Sequence, residues 1–223
     1  MPTVLPEACP APSVAETMTE QRSTAGEARK PSEDRRAELV ASAADQIVAI
    51  GSTAISLNAV SEAVGASRAL VYAYFSDRDA LVAAVLEDHI EKLEALGLRH
   101  AARGATAVER GCATADVYLR HVIAHGPILR FILRDSHLMK RIGTQVGGFR
   151  IGIMLALAQI ARRDLALLPR EAMALAEMMS AIPEELGRLC RAGELDADDA
   201  QATCARLVEA GIRGLTPSRE STG

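Results

Sequence analysis

Apolar residues recur every three or four positions along most of this 223-residue chain, which is the spacing of amphipathic α-helices. The first regular stretch runs from about Asp34 to Ile50, and Gly51 ends it. A second stretch follows at residues 57–81, LNAVSEAVGASRALVYAYFSDRDAL. It predicts two short helices, a tight turn and the start of a third helix, and the rest of the chain is organised around it.

The turn in this second stretch is marked by Gly65, because glycine allows the positive φ that a sharp inter-helix turn needs. Ser67 is a good N-cap, so a helix is predicted from Arg68 to Phe75. Ser76 is predicted to cap the next helix, with Asp79 in a capping-box position. Two short helices separated by a glycine turn form a helix-turn-helix, and the second helix of that motif lies in the DNA major groove.

Further amphipathic patterns follow to the C-terminus, so the sequence predicts an all-α protein. The helix that begins at Arg78 is expected to continue unbroken to about Leu98 and to connect the motif rigidly to the rest of the protein. Another helix contains Pro183, which we expect to kink or restart it. The predicted helices are 78–98, 107–124, 127–134, 137–162, 169–192 and a last one capped by Asp196.

Composition and pattern divide the chain into four parts. Residues 1–33 are rich in Pro, Ser, Thr and Glu without periodicity, so we expect a disordered tail. Residues 34–82 form the helix-turn-helix domain. Residues 83–216 form a second helical domain, and residues 217–223 form a C-terminal tail.

The overall composition agrees with a helical protein, because 49% of the residues are apolar, only 3% are aromatic and Trp is absent. We expect no membrane span, because no apolar run of roughly 18 residues is free of charges. We expect no signal peptide, because the N-terminus has no basic start followed by an apolar core. Cys9, Cys112, Cys190 and Cys204 are scattered and form no CxxC pair. Thiols in that arrangement favour a reducing cytoplasm and packing roles.

The net charge of −4 does not by itself indicate nucleic-acid binding, and residues 29–80 hold six basic against seven acidic side chains. The positions of the basic residues are more informative than their sum. Arg35 and Arg36 begin the first helix, Arg68 begins the second helix of the motif, and Arg78 begins the helix after it. All four arginines could face one duplex surface, although ordinary surface charge is the alternative.

The run G65-A-S-R-A-L-V-Y-A-Y-F75 resembles the N-terminal domain of TetR-type transcriptional repressors, which commonly reads GVS-x-G-x-LYxHF-x-x-KExL. The resemblance covers roughly the first third of the ordered chain. It implies an N-terminal three-helix helix-turn-helix domain joined to a C-terminal helical ligand-binding and dimerisation domain. The positions that fit the pattern are Ile47, Gly51, Val60, Tyr72, Tyr74, Phe75 and Leu81. Arg78 stands for the usual Lys and Asp79 for the usual Glu, whereas Ser61, Ala69 and Val71 depart from the usual residues.

This resemblance also implies which residues contact double-stranded operator DNA. Ser56 is expected to cap the first helix of the motif and to touch a phosphate, and Arg68 is the best candidate to read a base. A guanidinium can bond O6 and N7 of guanine together. The full set is Ser56, Ser67, Arg68, Leu70, Tyr72, Ala73, Tyr74 and Arg78.

The C-terminal domain of such proteins holds a small-molecule effector and forms a homodimer through the last two long helices. We expect a mainly apolar or amphipathic effector in a pocket with a few polar groups. Met and Phe at helical spacing are more often simple core residues, which is the alternative interpretation. The candidate lining residues are Tyr118, His121, Phe131, Met139, Phe149, Met154 and Met178.

The sequence favours a regulator over an enzyme, because it contains no GxSxG, P-loop, GxGxxG or HExxH motif. No cofactor or metal is expected. His121 and His125 are four residues apart, as a pair of metal ligands on one helix would be, but the sequence specifies no third ligand. His125 near a helix C-terminus also favours the helix dipole. The alternatives are a helix-turn-helix regulator without a ligand and an all-α metal-binding or catalytic protein built on these two histidines.

Overall fold

The protein folds into helices throughout the part of the chain that the computed structural model describes, namely residues 32–142, 162 and 165–215. In those residues we find no strand, so the predicted all-α class is confirmed. The helices are α1 (Ser32–Ile50), α2 (Leu57–Ala63), α3 (Arg68–Tyr74), α4 (Arg78–Ala95), α5 (Leu98–Ala101), α6 (Ala107–His125), α7 (Ile128–Arg134), α8 (Ser136–Ile142), α9 (Pro169–Arg191) and α10 (Ala197–Leu215).

The N-terminal core forms where α1 covers the back of α2 and α3. Leu39, Ala43 and Ile47 line one face of α1 and are completely buried, as the helical spacing predicted. Val60 from α2 and Val71 from α3 are also completely buried against this core. Burying a Val, Leu or Ile side chain contributes about 1.5–3 kcal/mol. The helix-turn-helix is therefore held by a small but fully apolar centre.

Helix α4 starts and ends differently from the prediction. Its N-cap is Asp77, whose carboxylate accepts a hydrogen bond from the backbone N–H of Ala80 at 2.8 Å, so the predicted cap at Ser76 is wrong. The helix ends at Ala95, because Gly97 adopts a left-handed φ of 93° and turns the chain into α5. Up to that point α4 is unbroken over about 27 Å.

A second core lies between α6, α9 and α10. Gly187 permits close contact there, because a Cβ atom at this position would lie 2.5 Å from Cγ1 of Val122 on α6. Helix α9 continues through the buried Pro183, so the helix does not restart at that proline. Helix α6 joins the two cores, with Val117 packed in the first and Leu119 in the second.

Two short helices, α7 and α8, follow α6 in the chain. Helix α7 contacts α1 and α4, and helix α8 contacts α4. The long helix predicted at 137–162 begins at Ser136 and is described only as far as Ile142. Its remainder, apart from residue 162, lies outside the described residues, as do the candidates Phe149 and Met154, residues 1–31 and the predicted C-terminal tail. The predicted N-terminal tail extended too far, because Ser32 and Glu33 already belong to α1. None of the described helices is both long enough and apolar enough to cross a membrane.

Candidate DNA-binding surface and ligand cavity

Two serine hydroxyls fix the start of the motif's helices. Oγ of Ser56 accepts a hydrogen bond from the N–H of Ala59 at 3.5 Å, and Oγ of Ser67 accepts one from the N–H of Leu70 at 3.2 Å. Both predicted caps are therefore confirmed. Each serine is exposed, and its hydroxyl hydrogen still has the capacity to donate to a phosphate oxygen.

The outer face of α3 exposes the residues that the sequence singled out. Arg68, Tyr72 and Ala73 are exposed, whereas Leu70 and Tyr74 are half-buried. Nη2 of Arg68 donates to the hydroxyl of Tyr72 at 3.3 Å, and the guanidinium carbon lies 5.4 Å from the centre of the tyrosine ring. An exposed cation–π contact of this kind is worth about 0.5–1 kcal/mol. Arg68 is thus weakly held on the surface, in a position from which it can be redirected.

Arg78 is engaged more strongly than the sequence suggested. Its Nε and Nη2 donate to Oδ1 of Asp79 at 3.0 and 2.8 Å. The Asp79 side chain is only 5% exposed, and its Oδ2 lies 2.6 Å from Nη1 of Arg141 on α8. Two guanidinium groups therefore share one buried carboxylate at the start of α4.

The two arginines of α1 make contacts within the domain. Nη1 of Arg35 lies 3.0 Å from Glu38 and donates to the backbone carbonyl of Val64 at 3.3 Å. The guanidinium of Arg36 lies 5.4 Å from the centre of the Phe75 ring. Arg35 therefore helps to hold the end of α2 against α1.

Helix α8 contacts the DNA-binding domain at a second point. Asp135, the residue before α8, accepts a hydrogen bond from the hydroxyl of Thr53 in the loop after α1. The same carboxylate accepts the backbone N–H of Leu138 at 2.9 Å, and this bond, followed by the one from Thr53, lowers the pKa of the Asp135 carboxyl. Asp135 at the start of α8 and Arg141 near its end thus attach this helix to the domain.

A cavity of about 220 Å³ lies beside α4. Its walls come from α4, α6, α7, α9 and α10, and they are mainly leucine, isoleucine, alanine and methionine side chains. Helix α4 contributes Leu86 and Ile90, and α7 contributes Leu129 and Leu133. Helices α4 and α7, which both pack against the core of the DNA-binding domain, therefore also line this cavity.

One carboxylate stands out among the apolar walls. Glu184 on α9 is 6% exposed, and its Oε1 accepts a hydrogen bond from the hydroxyl of Tyr118 at 3.0 Å. Its Oε2 makes no hydrogen bond and lies 3.4 Å from Nη1 of Arg130. Burial raises the pKa of the Glu184 carboxyl. Burial also raises the pKa of the Tyr118 phenol, and the adjacent Glu184 raises it further. This polar group is positioned to orient a ligand in a cavity whose walls are mainly apolar.

The residues predicted to line a pocket are distributed over several surroundings. Tyr118 lines the cavity, and the completely buried His121 stacks on it with ring centres 6.5 Å apart. Phe131 packs near Gly51 at the end of α1, and Met139 is half-buried on α8. Met178 is 65% exposed on the outer face of α9. The structure therefore brings together Tyr118 and His121 but not the other described candidates.

Sequence reasoning missed the buried ion pair of the cavity, Glu184 and Arg130. A signal was present for Glu184, because it falls eight residues after the buried Ala176 and so on the same face of α9. A charged residue on the apolar stripe of a helix needs a partner. Arg130 gave no comparable signal.

Known proteins resemble this chain at two levels. Residues 39–85 match the model of the bacterial regulatory proteins of the tetR family. The fold as a whole is similar to three solved structures from the genus Rhodococcus, whereas no curated protein matches the sequence.

The first is a TetR-like transcriptional regulator from Rhodococcus sp. RHA1, with a TM-score of 0.62 and 20% identity over 83% of this chain and 100% of that one. The second is a Rhodococcus sp. protein assigned to the TetR family, with a TM-score of 0.55 and 18% identity over 81% and 99%. A Rhodococcus sp. RHA1 protein of unknown function has a TM-score of 0.55 and 23% identity over 82% and 95%. These likenesses extend the shared fold beyond the matched segment. Residues 39–85 therefore form a helix-turn-helix domain of the type found in the tetR family of bacterial regulatory proteins, and the described chain as a whole shares the fold of these structures.

Proposed function

We propose that the protein is a cytoplasmic repressor that binds a pseudo-palindromic operator as a homodimer and is released by a small, mainly apolar effector. The observation that carries this proposal is that α4 and α7 each contact both the cavity and the DNA-binding domain. Leu86 of α4 and Leu129 of α7 line the cavity, and both helices pack against the core of the DNA-binding domain. This shared use is why we prefer a ligand-responsive regulator to one without a ligand.

The outer faces of α9 and α10 support the dimer. Met178 on α9 and Leu207 on α10 are 65% and 49% exposed, so each of these two long helices presents a large apolar side chain on its outer face. Gly214, seven residues after Leu207, has nothing within 4 Å of an added Cβ and extends the same flat face. A second copy of this face would bury all three residues in a four-helix arrangement.

The two recognition helices of such a dimer would enter successive major grooves through equivalent surfaces. Arg68 would leave Tyr72 and contact base edges, because its present contact is weak and exposed. Ser56, Ser67, Tyr72 and Tyr74 would contact the backbone, with Leu70 and Ala73 against the groove. Arg78 would contact phosphate only with the part of its guanidinium that Asp79 leaves available.

Release requires the effector to prefer one of two arrangements of the DNA-binding domain. A tenfold loss of operator affinity corresponds to about 1.4 kcal/mol of coupling free energy. Burying two methylene groups more in one state supplies about that amount. Movement of α4 or α7 would reach the DNA-binding domain directly, and α8 would follow through Asp135 and Arg141.

A cavity-filling variant tests the proposal. Ala176 is buried on α9 and lines the cavity, so Ala176→Phe should occupy effector space without touching the DNA-binding surface. We expect compounds that raise the unfolding temperature of the wild type to lower its operator affinity. The variant should bind the operator normally and should no longer respond to those compounds. A folded variant that keeps the full response would place the effector elsewhere, and no response in the wild type would favour a regulator without a ligand.

A further inference from the structure

Charged side chains of both signs line the ligand cavity, and the positive ones are in excess. Three arginines and two glutamates contribute to its walls, namely Arg110, Arg130, Arg134, Glu177 and Glu184. Arg130 and Arg134 are four residues apart on α7, so they fall on the same face of that helix. One face of α7 therefore presents two guanidinium groups to a cavity whose charged residues sum to a positive charge.

Polar side chains from three helices meet at one end of the cavity, which we call the polar end and define as Tyr118, Arg130, Arg134 and Glu184. The Tyr118 hydroxyl donates to Oε1 of Glu184 at 3.0 Å, and Nη1 of Arg130 lies 3.4 Å from Oε2 of that carboxylate. Burial is the largest influence on the pKa of Tyr118 and of Glu184 and raises both. The positive charges of Arg130 and Arg134 lower both pKa values, so Arg134 also lies near this group.

The two arginines of the polar end keep donors for a further partner. A guanidinium carries five N–H groups in a planar fork. The contact of Arg130 with Glu184 involves Nη1, and Oε2 of Glu184 receives no hydrogen bond from it. Arg134 is exposed and forms neither an ion pair nor a hydrogen bond with another described residue. Both guanidinium groups can therefore donate to an acceptor inside the cavity.

We propose that the cavity binds a small monocarboxylic acid, with its apolar body against the aliphatic walls and its carboxylate on Arg130 and Arg134. The two oxygens of a carboxylate match the guanidinium fork, and such charge-assisted hydrogen bonds are roughly twice as strong as neutral ones. This inference rests on the proposed function, because it names the chemical class of the effector that the repressor would bind.

The size and lining of the cavity suit the apolar body of such an acid. Leu86, Ile90, Leu129 and Leu133 form part of its walls. An apolar cavity of about 150 Å³ is large enough to bind benzene. A cavity of about 220 Å³ therefore admits an aromatic ring with a short chain, or an aliphatic chain of similar volume.

The charges at the polar end favour an anion over a cation. An ammonium group near Glu184 would be repelled by Arg130, which already lies 3.4 Å from Oε2, and by Arg134. A carboxylate would be opposed by Glu184, whose ionised form is disfavoured because burial raises its pKa, and by the exposed Glu177 further along the cavity wall. The two guanidinium groups are the closer partners of a carboxylate bound between them.

Binding at Arg130 would act on a helix that contacts the DNA-binding domain. Helix α7 contacts α1, and a Cβ placed at Gly51 would lie 3.8 Å from the ring of Phe131, the residue after Arg130. A ligand carboxylate that draws Arg130 away from Glu184 would loosen α7 from α9 and change how α7 packs against α1. The ligand thereby gains different contacts in two arrangements of the DNA-binding domain, as release requires.

Calorimetric titration of the full-length protein with two matched series of compounds tests the inference. Phenylpropionate is compared with phenylpropanol and phenylpropylamine, and octanoate is compared with octanol and octylamine. We expect the carboxylate of a series to bind at least about tenfold more tightly than the alcohol or the amine. Absence of binding by both carboxylates, or an alcohol or amine that binds as tightly as its carboxylate, would overturn the inference.

Variants of the polar end show whether the arginines recognise the carboxylate. Arg130→Met should weaken octanoate binding at least about tenfold and change octanol binding less than about twofold. Because this change leaves the buried Glu184 without its ion-pair partner, the exposed Arg134→Met is a second variant with the same expected selectivity. Glu184→Gln keeps the shape and removes the opposing charge, so it should bind octanoate at least about threefold more tightly.

Arg120→Met is the matched control, since Arg120 is an exposed arginine of α6 that pairs with Asp116 and does not line the cavity. It should bind octanoate as the wild type does. Unchanged octanoate affinity in both Arg130→Met and Arg134→Met, or weaker binding by Glu184→Gln, would overturn recognition of a carboxylate by these arginines.

Operator titrations with the same compounds separate this inference from the proposed function. If the carboxylates fail to bind but another compound lowers operator affinity, the ligand class is wrong and the proposed release stands. If octanoate binds through Arg130 without changing operator affinity, the carboxylate site stands and the proposed release is wrong.

Discussion

Replacing Arg141 with Met should separate α8 from the DNA-binding domain. Arg141 contacts Oδ2 of Asp79 at 2.6 Å and Oδ2 of Asp77 at 3.2 Å, while Arg78 holds the other oxygen of Asp79. Methionine keeps most of the aliphatic part of the side chain and removes only the charge and the donors.

The cost of this substitution lies between two known limits. Breaking a fully buried ion pair costs about 3–5 kcal/mol, whereas an exposed pair contributes about 0.2–1 kcal/mol. The Asp79 side chain is 5% exposed but that of Arg141 is 52% exposed, and Arg78 remains as a second partner. We therefore expect a loss of about 1–2 kcal/mol in the free energy of unfolding. For a protein of this size that lowers Tm by about 2–8 °C.

Denaturant unfolding of Arg141→Met, Asp79→Asn and the double variant measures this interaction as a coupling energy. Arg120→Met is the matched control, because Arg120 pairs with Asp116 at 3.0 Å with both side chains at least 41% exposed. The control should lose less than about 0.5 kcal/mol. If Arg141→Met loses no more unfolding free energy than Arg120→Met, or if the coupling energy with Asp79 is zero, the contact between α8 and Asp79 does not stabilise the protein.

Two further predictions concern the second domain. Met178→Glu or Leu207→Glu should convert a dimer into a monomer in sedimentation experiments, and dimeric forms of these two variants would contradict the proposed interface. Gly211→Glu is less informative about the dimer, because a Cβ at Gly211 would lie 2.9 Å from Cε of Met179 within the same chain and would displace that side chain. Glu184→Gln should gain stability relative to the wild type as the pH rises from about 4 to about 7. Burial raises the pKa of this carboxyl in the folded state, so its favourable contribution exists at low pH and is lost as it ionises. Denaturant unfolding at both pH values checks this, and a constant difference would show that burial does not disfavour the charge.

The elements that the sequence predicted well depend on local physics. Helices α1, α2 and α3 follow from apolar spacing, a glycine turn and serine caps, and each of these signals lies within a few residues of the feature it predicts. The start of α4 shows the limit of such signals. Ser76 and Asp77 are both good caps, and the choice of Asp77 coincides with a contact to Arg141, 64 residues away.

The cavity could not be predicted for the same reason. Tyr118, Arg130 and Glu184 lie on three helices, and their contacts exist only after α6, α7 and α9 have packed. His89 is likewise 32 residues from His121, so the contact between these two rings had no signal in the spacing of histidines on α6. Helical periodicity shows which face of a helix is buried but not which other helix covers it.

The central claim is that α3 reads a symmetric operator through Arg68. Selection of binding sites from random duplex DNA by the wild-type protein and by Arg68→Ala tests it most directly. We expect the wild type to enrich an inverted repeat, and Arg68→Ala to lose preference at one base pair of each half-site, at a cost of about 1–3 kcal/mol. Enrichment of sites without two-fold symmetry, or an identical preference from both proteins, would contradict this account.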